Sequence, residues 1–132
     1  MRSIIINPYN KEEIKVIQHW IEGNRFPKEA INWLSTKMLV VYKGELPIYR
    51  IFIYDTNSAI CWIGWELANP EATKEQKKGG LDFLIKEVCN YAKYNGYSTV
   101  FTTSQNPAII AKLLENQFQK GDSKVNHYIK NI

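Results

Sequence analysis

The sequence predicts one α+β domain over residues 1–132, with a mixed, mostly antiparallel sheet of six or seven strands and helices on both faces. β-Branched and aromatic runs at 38–42, 48–54 and 59–68 are separated by short turns, which is typical of an antiparallel meander. The third run leads through a polar turn into a long amphipathic helix and then a further strand at 99–103. Strand, helix and strand in that order indicate a parallel pair joined by a crossover.

Composition restricts the class of protein. With 45% hydrophobic and 23% charged residues, the chain has an ordinary globular composition. No apolar run approaches the roughly 20 residues of a membrane helix, and no secretory signal opens the chain, so we expect a cytoplasmic protein without a membrane partner. The net charge of +4 is spread over several segments, which disfavours a nucleic-acid partner. Cys61 and Cys89 lack metal-ligand spacing and are interpreted as buried, reduced thiols, with no metal site.

The N-terminal third predicts a strand and two helices. Residues 3–6 are apolar and β-branched, as in a short strand. Asn10 followed by Glu13 is similar to a helix capping box, and apolar residues then recur at helical spacing up to Gly23. A second short helix is expected at 28–34. Three rings of this region either pack in the core or line a pocket: Trp20, Phe26 and Trp33.

Two residues interrupt the predicted meander. Arg50 breaks the apolar run of the middle strand, which predicts a wet face there. Gly64 lies between Trp62 and Trp65 in the third strand, and an interior glycine indicates a β-bulge or a close backbone approach. Alternatively, Gly64 only relieves crowding between the two rings.

The polar turn at 73–80, with the sequence TKEQKKGG, suits an anion. A helix N-terminus leaves backbone N–H groups unpaired and carries a partial positive charge, which together favour a ligand such as phosphate. Three lysines add positive charge at the same point: Lys74, Lys77 and Lys78. Thr73 and Gln76 form a possible capping box, so we favour a helix start at Thr73 over the alternative start near Gly80.

The chain then continues with the predicted crossover helix and the C-terminal elements. An apolar stripe on the helix covers the sheet and consists of Leu81, Leu84, Ile85, Val88 and Ala92. Asn106 precedes Pro107, as at the start of a helix that runs to about residue 116. Residues 117–122 and 125–132 are expected to form a strand, a turn and a final strand.

The turn resembles a motif of a known family. The run from Gln76 to Leu81, QKKGGL, is similar to the Q/R-x-x-G-x-G/A motif of the GCN5-related N-acetyltransferases, although Leu81 occupies the last small-residue position. The run from Ala68 to Pro70 resembles the V-x-P of that family. The order of elements agrees from Lys37 to the C-terminus.

The resemblance implies a cofactor site for acetyl-coenzyme A, used as co-substrate. In the family, the turn holds the pyrophosphate and the splayed strand before it binds the pantetheine arm with its backbone. The implied binding residues are Leu67, Ala68, Gln76, Lys77, Lys78, Gly79, Gly80, Leu81 and Asn106. For Asn106, helix capping alone is an equal alternative.

The resemblance implies an acyl-coenzyme A-dependent N-acetyltransferase that acts on a primary amine of a small molecule or protein. Glu66, near the end of the splayed strand, is the candidate base, with a solvated strand-end carboxylate as the alternative. The family's general-acid Tyr aligns with Leu113 or, with one residue missing, with Leu114, so Tyr128 or Tyr54 has to substitute.

The alternative class is a catalytically inactive interaction protein that keeps the fold. Three departures from the family pattern favour it: Leu81, Leu113 and Gln117 in place of a small residue, a tyrosine and a glycine. The sequence does not specify the acceptor amine, and a homodimer is possible.

Overall fold

The computed structural model describes residues 1–132. Its strands are β1 (Arg2–Ile6), β2 (Lys37–Lys43), β3 (Leu46–Tyr54), β4 (Ile60–Ala68) and β5 (Thr99–Phe101). Its α-helices are α1 (Lys11–Gly23), α2 (Lys74–Lys77), α3 (Gly80–Tyr94) and α4 (Pro107–Glu115), and a 3-10 helix spans Lys28–Trp33. No helix is both long and apolar enough to cross a membrane.

The sheet has five strands in the order β1-β2-β3-β4-β5. β1 to β4 pair antiparallel and β5 pairs parallel with β4, as expected for a mixed, mostly antiparallel sheet. The prediction of six or seven strands is not confirmed, because residues 117–132 form no strand. The apolar residues near the C-terminus recur at i, i+3, i+4 and i+7, which is not the alternation that a strand with one buried face requires: Val125, Tyr128, Ile129 and Ile132.

Helices cover both faces of the sheet. Alternate strand residues point to opposite faces, so the strands present apolar side chains on each of them. The stripe of α3, including Leu84 and Val88, packs on one face against β-strand residues such as Leu39 and Ile51. α1 and the 3-10 helix pack on the other face, where Ile17 contributes to the second core. The two helical layers are therefore separated by the sheet.

Arg50 is buried rather than solvated, so the predicted wet face of β3 is wrong. The residue is only 2% exposed and lies beneath α1. Its Nη2 atom is 3.2 Å from the Glu13 Oε2 atom, and its guanidinium lies 4.0 Å from the centre of the Trp20 ring. The carboxylate and the ring compensate in part for burial, which lowers the pKa of Arg50. Trp20 is therefore a core residue, in agreement with the core-packing alternative.

Three helices end in the same way, with a residue in the left-handed region of φ. These residues are Arg25 after α1 (φ 61°), Gly96 after α3 (φ 84°) and Gln117 after α4 (φ 65°). In each case the next residue donates a backbone hydrogen bond to a carbonyl five residues earlier, for example Phe118 N to Leu113 O at 3.0 Å. This is the Schellman pattern, in which glycine is the usual residue at the left-handed position.

The two cysteines differ in burial. Cys61 is fully buried in β4, as predicted, and burial raises the pKa of its thiol to about 11. Cys89 is only half-buried, because it lies at the edge of the α3 stripe. Both are free thiols.

Candidate active site

β4 and β5 pair at one end only. Ile60–Trp62 pairs with Thr99–Phe101, and the two strands separate beyond this point. One edge of β4 is paired with β3, but the other edge has no strand beside it over residues 63–68. At the end of this edge, the Asn24 side chain bonds to both the N–H and the C=O group of Ala68. Backbone N–H and C=O groups on such an edge can pair with an extended ligand as if it were another strand.

A β-bulge bends β4 where the strands separate. Gly64 pairs with Phe52 and Leu67 pairs with Arg50, so two residues of β4 lie opposite one residue of β3. Trp65, at the bulge, has a φ of 56°, which is uncommon for a bulky side chain. A Cβ atom built on Gly64 would meet nothing within 4 Å. Gly64 therefore belongs to the predicted bulge and does not relieve crowding between the two tryptophans.

The separated strands border an open cleft of about 2390 Å³. α4 and the C-terminal segment also line this cleft. Pockets for drug-sized ligands typically measure about 300–1,000 Å³. The cleft therefore has room for a long ligand together with a second small one.

Glu66 is the acidic side chain of β4 in this cleft. It is half-buried, and the Thr102 hydroxyl donates to its Oε1 atom over 3.4 Å from the other side of the gap. Burial raises the pKa of Glu66 above that of an ordinary carboxyl group. A carboxylate with a raised pKa accepts a proton more readily near neutral pH. Thr102 was not predicted from the sequence, although it lies in the segment expected to run parallel to β4.

The turn before α3 combines the two helix starts that the sequence left open. Thr73 and Gln76 form both hydrogen bonds of a capping box around the short helix α2. The chain then turns at Lys78 and Gly79, whose φ and ψ angles of −56° and 126°, and 78° and −8°, match a type II turn. A second helix, α3, starts at Gly80. No side chain caps the first backbone N–H groups of α3, and no carbonyl group of the helix accepts a hydrogen bond from them.

The two glycines of the turn have different roles. Gly79 supplies the positive φ that the type II turn requires. Gly80 packs directly on β3, since a Cβ atom there would lie 2.6 Å from Ile48 Cδ1 and 2.8 Å from Tyr49 Cε2. Gly80 therefore allows α3 to pack closely on the sheet, whereas Gly79 allows the chain to turn.

Four lysines surround the turn. Lys77 is half-buried, whereas Lys74 and Lys78 are exposed. The fourth, Lys43, comes from the end of β2, and its Nζ atom donates to the Glu75 carbonyl oxygen over 3.2 Å. No sequence motif pointed to Lys43, because the sheet register alone brings it to the turn. Of the predicted turn residues, only Leu81 also lines the cleft.

Asn106 both caps α4 and lines the cleft. Its Oδ1 atom accepts a hydrogen bond from the Ala108 N–H group over 3.0 Å. Its Nδ2 atom makes no hydrogen bond within the protein. Capping therefore accounts for half of the side chain, and the amide nitrogen is free to donate to a ligand.

The candidate acids occupy different places. Leu113 and Leu114 line the cleft, so the position of the family's tyrosine carries no hydroxyl group. Tyr54 lines the cleft, but its hydroxyl donates to the Trp33 carbonyl oxygen over 2.8 Å, and burial raises its pKa to about 12. Tyr128 is 89% exposed in the C-terminal segment and does not line the cleft. The structure therefore does not bring Tyr128 together with Glu66.

Comparison with solved structures identifies the fold. A ribosomal-protein-S18-alanine N-acetyltransferase from Escherichia coli superposes with a TM-score of 0.71 at 12% identity, covering 92% of this chain and 80% of that protein. A ribosomal-protein-alanine N-acetyltransferase from Brucella melitensis gives 0.67 at 11% identity, covering 98% of each chain. An aminoglycoside acetyltransferase from an uncultured soil sample, in complex with sisomicin, gives 0.60 at 13% identity, covering 99% and 95%.

The chain therefore has the fold of the GCN5-related N-acetyltransferases, and the resemblance seen in the sequence is confirmed at the level of fold. No protein-family model and no curated protein sequence matches it. The turn motif, the bulge and the strand separation lie where the resemblance placed them along the chain.

Proposed function

We propose that the protein is an N-acetyltransferase that transfers an acetyl group from acetyl-coenzyme A to a primary amine. The observation that carries the proposal is the separation of β4 from β5 beside Glu66. This arrangement supplies an open strand edge and a carboxylate in one cleft, and Leu81, in the first turn of α3, lines the same cleft. Acetyltransferase activity in the neighbouring structures supports the same class of reaction.

The residues fit the chemistry of acetyl-coenzyme A. The edge of β4 beyond Trp62 that has no strand beside it suits an arm that carries amide groups. At Ala68, however, the backbone N–H and C=O groups already bond to the Asn24 side chain, which leaves the part of the edge before Ala68, up to Leu67, for such an arm. The uncapped amides after Gly79 suit a pyrophosphate, and Lys77 and Lys78 add charge there. The Gln76 side-chain oxygen accepts a hydrogen bond from the Thr73 N–H group, so Gln76 shapes the turn, and its amide nitrogen can donate to a ligand.

The chain's own groups can handle the proton of the acceptor. Acetyl-coenzyme A supplies the acetyl group as a thioester. The C–N bond forms as the C–S bond breaks, the amine loses one proton and the departing thiolate gains one. Glu66 accepts the proton from the amine, directly or through water, because its raised pKa suits that step. Tyr128 and Tyr54 are the candidate proton donors. Tyr54 lines the cleft, but its hydroxyl already donates to the Trp33 carbonyl oxygen, and Tyr128 does not line the cleft.

Turnover tests the proposal directly. Release of free thiol from acetyl-coenzyme A is measured with a panel of primary amines, with tertiary amines as the control because they cannot form a stable amide. The expected result is amine-dependent thiol release with primary amines only. Thiol release at the amine-free rate with every primary amine contradicts the proposal.

The second candidate function is that of a non-catalytic binding protein. One observation favours it, at the position of the cleft that corresponds to the family's tyrosine. Leu113 and Leu114 place apolar groups where the family's proton donor is expected. Binding of acetyl-coenzyme A without turnover of any amine identifies this second function.

A further inference from the structure

β1 leaves one edge of the sheet unpaired. It lies at the end of the strand order, so only the edge that faces β2 is paired. Outside this ladder, no hydrogen bond involves the backbone of residues 2–6. The pairing runs without a bulge from Arg2 opposite Tyr42 to Ile6 opposite Met38. Proline, lysine or a bulge usually keeps an unpaired edge from binding another strand, and β1 contains none of the three.

The apolar rows of both cores reach this edge without being covered. Ile5 lies opposite Leu39, which belongs to the core beneath α3, yet Ile5 is 42% exposed. On the other face, Ile4 lies opposite Val40 of the second core and is 39% exposed. A further strand beside β1 covers both side chains at once, because its own side chains alternate between the same two faces.

The sequence of β1 is complementary to itself about Ile4. Along an edge strand, every second residue directs its N–H and C=O groups outward, and in a two-fold symmetric antiparallel pair both members of an opposed pair have to be of the same kind. The two residue numbers of an opposed pair therefore have an even sum. Placing Ile4 opposite Ile4 engages all five residues, with Ile5 opposite Ser3 and Arg2 opposite Ile6. Centring the pair on Ser3 or Ile5 leaves two residues of the strand without a partner in β1.

The charges of β1 agree with this register. Arg2 is the one charged residue of the strand, and its Nη2 atom lies 3.8 Å from the Glu45 Oε2 atom. In the two-fold register, the two copies of Arg2 are four residues apart along the strands, or about 14 Å. This distance exceeds the screening length of about 8 Å at physiological salt, so the like charges repel each other weakly.

We propose that two copies of this chain associate by antiparallel pairing of their β1 strands about Ile4, which joins their two sheets into one. The cleft at β4 and β5 lies at the other end of the strand order, so both clefts stay open to ligands. Five residues a side are fewer than the about 20–30 of a standard interface. The association is therefore weak and depends on protein concentration.

Sedimentation equilibrium of the untagged protein from about 1 μM to 1 mM measures the association. The expected mass rises from the 15.4 kDa of one chain toward twice this value. Ile4→Lys places two like charges opposite each other and is expected to raise the dissociation constant about tenfold or more. Ile110→Lys is the matched control, since Ile110 is 38% exposed on α4, which lines the cleft, and the dissociation constant is expected to stay unchanged. Circular dichroism checks the folding of both variants.

Cross-linking tests the register. Opposed residues of antiparallel strands have Cα atoms about 4.5–5.5 Å apart, a distance that a disulfide spans, so oxidised Ile4→Cys is expected to run as a covalent dimer on a non-reducing gel. In Ile5→Cys, the two new cysteines are diagonal neighbours about 7–8 Å apart, which is too far for a disulfide. That variant and the wild type, which holds the free thiols of Cys61 and Cys89, are the controls and are expected to run as single chains.

Three results overturn the proposal: a single-chain mass at every concentration, a dimer that Ile4→Lys does not weaken, or equal cross-linking of Ile4→Cys and Ile5→Cys. None of these measurements involves acetyl-coenzyme A or an amine. Failure of the β1 pairing and failure of the proposed acetyltransferase function are therefore distinguishable.

Discussion

Glu66 lies beside the gap between the separated strands, is partly buried, and accepts a hydrogen bond from the Thr102 hydroxyl. Its position opposite Thr102 places the carboxylate inside the gap between β4 and β5, whereas most acidic side chains of this chain lie on the outer surface. The raised pKa has a direct consequence for rate. The carboxylate has to be ionised to accept a proton, so activity is lost as pH falls through the pKa of Glu66.

For the wild type, we therefore expect the acidic limb of the pH profile of kcat/KM to lie above the ordinary range of glutamate, near pH 4.3. Glu66→Gln keeps an oxygen for the Thr102 hydroxyl but removes the base, so kcat is expected to fall by about 10²- to 10⁴-fold. The measurement is the pH dependence of initial rates for both proteins. Glu22→Gln, at an exposed position on α1, is the matched control. Equal rates in Glu66→Gln and the wild type contradict the role of Glu66.

Gln117 shows that a backbone conformation can persist when the expected residue does not. The resemblance placed a glycine before Phe118, and Gln117 has the φ of 65° that glycine adopts most easily. The hydrogen bonds of the α4 terminus are both formed, from Gln117 N to Leu114 O and from Phe118 N to Leu113 O. The departure in sequence therefore changes local strain and not the path of the chain.

Gln117→Gly is expected to stabilise the protein by about 1 kcal/mol, because it removes the cost of a left-handed conformation at a residue with a Cβ atom. Thermal denaturation measures the effect. Gln119→Gly is the control, since Gln119 has no positive φ and glycine there adds only chain entropy. A lower melting temperature for Gln117→Gly than for the wild type argues against strain at this position.

At the scale of elements, different residues of the turn between β4 and α3 pack on the sheet and carry the positive charge. Gly80 fixes α3 against β3, whereas Lys77, Lys78 and the amides after Gly79 are available to a ligand. A substitution at Gly80 therefore mixes binding with stability, and the lysines give the cleaner test of phosphate binding.

Lys77→Ala combined with Lys78→Ala is expected to weaken acetyl-coenzyme A binding by about 1–3 kcal/mol, the usual size of hydrogen bonds between charged groups. The melting temperature is expected to stay near that of the wild type, because Lys78 is exposed and Lys77 is only half-buried. Titration calorimetry at two salt concentrations measures the change, and added salt is expected to weaken wild-type binding in parallel.

Lys11→Ala combined with Lys15→Ala is the matched control for charge. This pair lies exposed on α1, on the other face of the sheet, and removes the same net charge. An equal loss of affinity in both double variants attributes the effect to overall charge and removes the turn from the site.

At the scale of the molecule, local patterns predicted much of the fold. The meander, the stripe of α3, the capping box at Thr73 and the bulge near Gly64 all depend on neighbouring residues, so spacing alone indicated them. The burial of Arg50 depends on Glu13 and Trp20 of α1, which no local pattern places beneath it. The C-terminal strands were predicted from a segment whose exposed residues find no partner at the edge of β5.

The candidate site divides in the same way. The turn and Glu66 follow from the order of elements along the chain. The contact between Glu66 and Thr102, and the approach of Lys43 to the turn, depend on the sheet register and emerge only in three dimensions. Five aromatic rings of the cleft come from separate segments of the chain, so composition could not assign them to the core or to a cleft: Phe26, Trp33, Trp62, Trp65 and Phe101.

The central claim is that the gap between β4 and β5, together with the turn before α3, binds acetyl-coenzyme A. Isothermal titration of the wild-type protein with acetyl-coenzyme A tests this claim most directly, with acetyl-pantetheine as the matched ligand that lacks the pyrophosphate. We expect one site per chain with a dissociation constant between about 1 μM and 1 mM, and binding of acetyl-pantetheine at least about tenfold weaker. No detectable binding of acetyl-coenzyme A at millimolar concentration contradicts the claim.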